Sequence, residues 1–196
     1  MEFHLDPRTT ALVLVDLQKG TLAMPLAPSD GDTLIAAAAR LGAAFATAGA
    51  LIVTVRIAFS RDGGDRLSQP VDTPMRLPPG SLPGDWSDLA PPIAALPAAV
   101  SITKRQWSAF HGTELDLQLR RRGIRTLVIG GIATNFGVES TARDAWQLGY
   151  AVVVAEDACT SLGAPLHAFA VSATLPRVSR VRSVDAVIAA LACPAP

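Results

Sequence analysis

The chain has 196 residues, 49% hydrophobic and 17% charged, and its 17 basic side chains balance 17 acidic ones. That is one domain's worth of chain, so residues 1–196 are expected to form a single unit with one core. The composition excludes a disordered chain, and the even charge leaves no basic footprint for nucleic acid.

The first element is a continuous apolar run, Ala11–Asp16. An Ala/Leu-rich segment, 33–48, has helical character and stops before Gly49, a natural residue just past a helix end. Leu51–Arg56 is the second strand. The stretch 57–99 breaks the pattern. Eight prolines between Pro70 and Pro97 exclude a regular helix there, and a segment of this length implies a lid or an oligomer contact. Its Leu82, Trp86, Leu89 and Ile93, exposed together, would make an apolar patch that a monomer seldom tolerates.

Val100–Lys104 is a weaker third strand. The helix expected over 113–122 opens on Thr113-Glu-Leu-Asp116, which resembles a capping box, and ends in three arginines that suit the negative end of its dipole. Thr126–Gly130 and Ala151–Ala155 are strands, with a helix over 136–148 between them. Helices over 165–175 and 184–191, the last capped by Ser183, flank a final strand at Val178–Arg182. Strands alternating with helices indicate a parallel sheet covered on both faces, which explains the unbroken apolar runs. The longest strongly apolar uncharged stretch, 41–55, is too short and too broken by Gly42 and Gly49 to span a bilayer. The start MEFHLDPR lacks a signal-peptide pattern, so a cytoplasmic protein is expected.

In an open parallel sheet, ligands collect at the carboxyl ends of the strands. Asp16, Arg56, Lys104, the segment Gly130–Gly137 and Glu156–Asp157 stand at those expected ends. A carboxylate closing an apolar strand is partly desolvated, which raises its pKa and suits it to proton transfer; a turn cap is the plainer role for Asp16. Lys104 is one of two lysines against 15 arginines, and a compact ammonium there can pair with a carboxylate or hold an anion. Gly130-Gly-Ile-Ala-Thr-Asn-Phe-Gly137 leads from strand to helix, so its backbone N–H groups can face an anion, although a tight connecting turn needs the same glycines. It is neither a dinucleotide fingerprint nor a P-loop. His4, His111 and His167 lack metal-ligand spacing, so no metal and no cofactor is expected. Cys159 reads as a small buried hydrophobe and Cys193 as part of the tail.

On Val13-Leu-Val-Asp-Leu-Gln18, Lys104-Arg-Gln-Trp-Ser-Ala-Phe110, Gly131-Ile-Ala-Thr-Asn-Phe-Gly-Val-Glu-Ser-Thr-Ala-Arg-Asp-Ala145 and Glu156-Asp-Ala158, the chain resembles the isochorismatase-like hydrolase superfamily, from Thr10 to about Leu191. The resemblance implies a three-layer α-β-α fold, Rossmann-like, with six parallel strands in order 3-2-1-4-5-6, assembled as a homo-oligomer, dimer or larger. It implies a cis peptide between Ile132 and Ala133 that turns the Ala133 N–H into the site.

Most members of that superfamily are amidases with an Asp-Lys-Cys triad. Asp16 and Lys104 match the first two, but glycine stands at 137 where the nucleophilic cysteine belongs. Glycine offers no nucleophile, so covalent thiol chemistry is lost. Isochorismatases of siderophore and phenazine pathways also carry glycine there; they protonate a vinyl ether and add water, which needs one proton donor and a cationic surface. Thr134-Asn135 resembles the amidases instead, where those enzymes read Ala-His. The resemblance thus implies a hydrolase acting on a small anionic metabolite, with Asp16 as acid/base and Lys104 as its electrostatic partner. Ala133, Gly137, Gln18, Arg56, Trp107, Phe110 and Asn135 would form the substrate or oxyanion pocket. The alternative is a catalytically silent member that binds a small molecule or a partner; no nucleic acid or membrane partner is expected in either case.

Overall fold

The computed structural model describes residues 3–74 and 82–192. Six strands form one all-parallel sheet: β1 (Thr10–Val15), β2 (Leu51–Ile57), β3 (Val100–Lys104), β4 (Thr126–Ile132), β5 (Ala151–Thr160) and β6 (Arg180–Arg182), in the order β3-β2-β1-β4-β5-β6. Helices α1 (Gly31–Thr47), α2 (Leu115–Arg121), α3 (Glu139–Gln147), α4 (Ala164–Phe169) and α5 (Val184–Ala192) surround it. This is the α/β fold expected, and the strand order reverses between β1 and β4.

Side chains alternate along each strand, so the sheet splits the core in two. Val13, Val15, Val55, Leu127 and Ile129 pack with α2 and α3 through Leu115, Leu119, Ala142 and Ala145. Leu12, Leu14, Ile52 and Val128 pack on the other face with α1 and α5 through Leu34, Leu41, Phe45 and Val187. All six β1 residues are buried, the condition that makes a strand apolar at every position.

Several boundaries differ from the sequence reading, each for a local reason. Helix α1 starts two residues early because Asp30 caps it, accepting from the Thr33 N–H at 2.9 Å. Helix α2 starts at Leu115, and no reciprocal box forms: Thr113 Oγ1 accepts from Leu115 N, while Asp116 binds Arg120 and Tyr150 instead. Before α3 comes a wide π-type turn, Thr134–Val138, and the helix expected over 165–175 is α4 followed by a second such turn, Ala170–Thr174. Strand β6 begins only at Arg180. Ser183 Oγ accepts from Ala186 N, as a cap should.

The largest correction concerns β5. It runs on to Thr160 through a register irregularity opposite Ile129/Gly131, so Glu156 and Asp157 lie mid-strand rather than at its carboxyl end. Asp157 is spent on the Val184 N–H at the start of α5. At Gly131 the β4 backbone lies close against β1; its φ is 133°, and a Cβ there would fall 2.0 Å from the Val15 carbonyl oxygen.

Leu82, Trp86, Leu89 and Ile93 do not form an exposed apolar patch. Trp86 and Ile93 are buried, Leu82 and Leu89 half-buried, and Pro91–Ala94 forms one helical turn. The Trp86 ring lies on Gly20, and Leu89 bridges Gln18. Residues 75–81 of the expected lid, and Cys193, lie outside the described residues. Among the described residues, no helix is long and apolar enough to cross a membrane, and no cluster of three metal-binding side chains occurs.

Candidate active site

Asp16 follows β1 directly and adopts φ 54°, a left-handed conformation that aspartate tolerates better than most residues. The turn is pinned from both sides: the Asp16 N–H donates to the Val55 carbonyl at 2.8 Å, and the Thr21 hydroxyl donates to the Asp16 carbonyl. Its carboxylate meets the side chain of Lys104, the last residue of β3. There Lys104 Nζ lies 2.6 Å from Asp16 Oδ2, with 1% of the lysine side chain and 7% of the aspartate exposed. Nζ also donates to the Gln106 carbonyl at 3.0 Å. Asp16 Oδ1 is buried and, among the described residues, has no hydrogen-bond partner. Burial pushes the Asp16 carboxyl up to about 6, against the opposing pull of Lys104.

The pair forms the floor of a cleft of about 480 Å3 at the carboxyl ends of β1 to β4, the point where strand order reverses. Ala133 and Gly137 form one wall, and the peptide Ile132–Ala133 is cis. At Gly137 a Cβ would meet the Ile132 carbonyl oxygen at 3.0 Å, Val15 Cγ1 at 3.3 Å and Asp16 Oδ2 at 3.4 Å. The glycine is thus closely packed beside the acid, at a position where any side chain would be crowded. Trp107 is half exposed and packs on Phe136 with its ring tilted by 53°, ring centres 4.9 Å apart.

The structure brings Asp16, Lys104, Ala133, Gly137 and Trp107 onto one surface, and leaves four expected pocket residues off it. Gln18 is fully buried and clamps backbone: its amide donates to the Ile57 and Trp86 carbonyls and accepts from Ile57 N. Arg56 turns outward to Thr103 Oγ1, because β2 continues one residue further and puts Ile57 at the cleft. Phe110 is core, packed near Tyr150. Asn135 accepts from the Ser161 hydroxyl.

Two arginines missed by the sequence reading line the cleft instead. Arg105 lies beside Lys104 and pairs with Asp65 at 2.7 Å. Arg66 lies over the Phe59 ring, 5.1 Å from its centre. Adjacency to Lys104 could have revealed the first; irregular chain gives no period that would reveal the second. Cys159 is buried in β5, its thiol pushed up to about 12 by that burial, and it does not touch the cleft.

Residues 10–186 match the Isochorismatase domain family. The chain is 46% identical over 188 residues to the uncharacterized isochorismatase family protein YecD of Escherichia coli O157:H7, covering 96% of this chain and 99% of that one. It is 34% identical to the ureidoacrylate amidohydrolase RutB of Pantoea ananatis, over 80% of this chain and 71% of RutB. An isochorismatase family protein of Burkholderia thailandensis has a similar solved structure, with TM-score 0.90, 40% identity, and coverage of 97% and 98%.

Proposed function

The chain belongs to the isochorismatase family and is a hydrolase, and on that premise we propose that it cleaves a small anionic vinyl ether with Asp16 as the proton donor. The observation that carries this reading is the pairing of a buried acid, its carboxyl near 6, with Gly137 directly beside it. A carboxyl so shifted keeps a protonated fraction near neutral pH, which a general acid requires. Glycine beside it removes the thiol route. The inert, buried Cys159 supplies no replacement nucleophile.

In the proposed reaction the Asp16 carboxyl protonates the terminal vinyl carbon. The C=C electron pair forms the new C–H bond, and the ether oxygen shares the resulting positive charge. Water adds to the oxocarbenium carbon, a proton returns to Asp16, and the hemiketal collapses to a ketone and an alcohol. Lys104 holds the carboxylate form of Asp16 while the cation exists, and the backbone at Ala133 and Gly137 faces the adding oxygen. Arg66 and Arg105 give the cleft its preference for an anion.

We place the enzyme in the cytoplasm, with a small-molecule substrate, as a homo-oligomer. Light scattering at micromolar concentration tests the assembly; a mass near 20.4 kDa would contradict it. Pyruvate release from 2-phenoxyacrylate and from isochorismate tests the chemistry. Pyruvate from either, lost in Asp16→Asn, supports the reading; pyruvate from neither overturns it. Thermal stabilisation by these compounds without turnover would favour the silent-binder reading that Gly137 also permits.

A further inference from the structure

We propose that this cleft selects a substrate bearing one carboxylate, seated on Arg66, with a flat apolar body held between aromatic side chains. The inference rests on reading the cleft as the active site. Four charged side chains line it: Asp16, Lys104, Arg66 and Arg105. Asp16 and Lys104 neutralise each other at 2.6 Å. Arg105 is bound to Asp65 Oδ2, whose Oδ1 is held by the Ser60 N–H and hydroxyl at 2.8 and 2.9 Å. That carboxylate is built into its loop and stays with Arg105.

Arg66 is different. Among the described residues no carboxylate lies within ion-pair distance of it, and the stretch 75–81, MRLPPGS, contains no acidic side chain. Its Nε is buried and, among the described residues, has no hydrogen-bond partner. A buried guanidinium N–H without an acceptor carries a desolvation cost that a bidentate carboxylate would remove. Among the described residues the cleft therefore holds one uncompensated positive charge. A neutral ligand leaves it unmatched, and among the described residues a dianion would find its second cation only in Arg105, which would have to abandon Asp65. Phe59, Trp107 and Phe136 also line the cleft and give it the apolar surface that a ring-shaped body would meet.

Isothermal titration of the purified chain near neutral pH with benzoate, benzamide and isophthalate tests this without any turnover. Benzoate should bind on the order of tenfold or more tighter than benzamide, the difference one charge-assisted bidentate contact makes. Isophthalate should bind no tighter than benzoate. Arg66→Gln should bring benzoate down to the level of benzamide, whereas Arg105→Gln should leave the preference in place. Undetectable benzoate binding, a preference that survives Arg66→Gln or vanishes in Arg105→Gln, or isophthalate at least tenfold tighter than benzoate would each overturn the proposal. If Arg66→Gln fails to fold, the three-ligand comparison on the unaltered chain still decides. A failed pyruvate assay leaves these binding results standing, so the two readings fail separately.

Discussion

Lys104 and Arg105 are neighbours at the end of β3, and each holds an aspartate at nearly the same distance: 2.6 Å for Asp16 and 2.7 Å for Asp65. Yet the two carboxyls move in opposite directions. At the floor, burial overrides the lysine and lifts Asp16 to about 6. At the rim, the Ser60 N–H, followed by Arg105, holds Asp65 down near 2. Contact distance alone does not set protonation; the surrounding dielectric does, because desolvation penalises the charge that a partner stabilises. One strand end therefore meets an acid of raised pKa inside and one of lowered pKa outside.

The largest effect should come from breaking the inner pair. Asp16→Asn should reduce turnover of an accepted vinyl ether by about 10²–10⁴-fold, the usual contribution of general acid catalysis, whereas Asp65→Asn should leave it within tenfold. Steady-state rates with the two variants check this.

Stability sharpens the same contrast. Removing either partner of the buried pair strands a charge in the core, costing about 3–5 kcal/mol, and the double variant Asp16→Asn/Lys104→Met should recover most of that without recovering activity. At the exposed rim, Asp65→Asn should be hard to see in a denaturant melt.

The pH dependence of stability should have opposite signs in the two places. Asp16 binds its proton more tightly in the fold than in the unfolded chain, so its contribution favours the fold at low pH and is lost as pH rises through about 6. Asp65 contributes above the ordinary carboxylate range and loses that contribution as pH falls toward about 2. Turnover should follow Asp16, with kcat/KM falling as pH rises through about 6; a rate that rises there would mark Asp16 as a base instead.

The smallest effect should be at the thiol. Iodoacetamide should leave activity untouched, since Cys159 is buried with its pKa near 12. Loss of activity reproduced by Cys159→Ser would contradict a cysteine-free site.

The inner pair was legible from the sequence because apolar runs end visibly, and a charge at such an end sits at the rim of a parallel sheet. Ala133 and Gly137 were legible as a glycine-rich strand-to-helix turn. Arg56 was misplaced because β2 runs one residue further than its apolar run, and alternation then sends Arg56 outward. Phe110 and Gln18 belong to the right motifs, but whether a side chain faces core, backbone or cleft depends on tertiary packing that motif spacing does not encode. Arg66 and Phe59 lie in proline-flanked irregular chain, where no period indicates direction.

Carbon-13 NMR of aspartate-labelled protein, with Asp16→Asn to assign the signal, tests the central claim without a substrate. The account predicts a carboxyl resonance titrating near 6 that disappears in the variant. A midpoint for Asp16 at or below about 4, the ordinary carboxylate range, would contradict it.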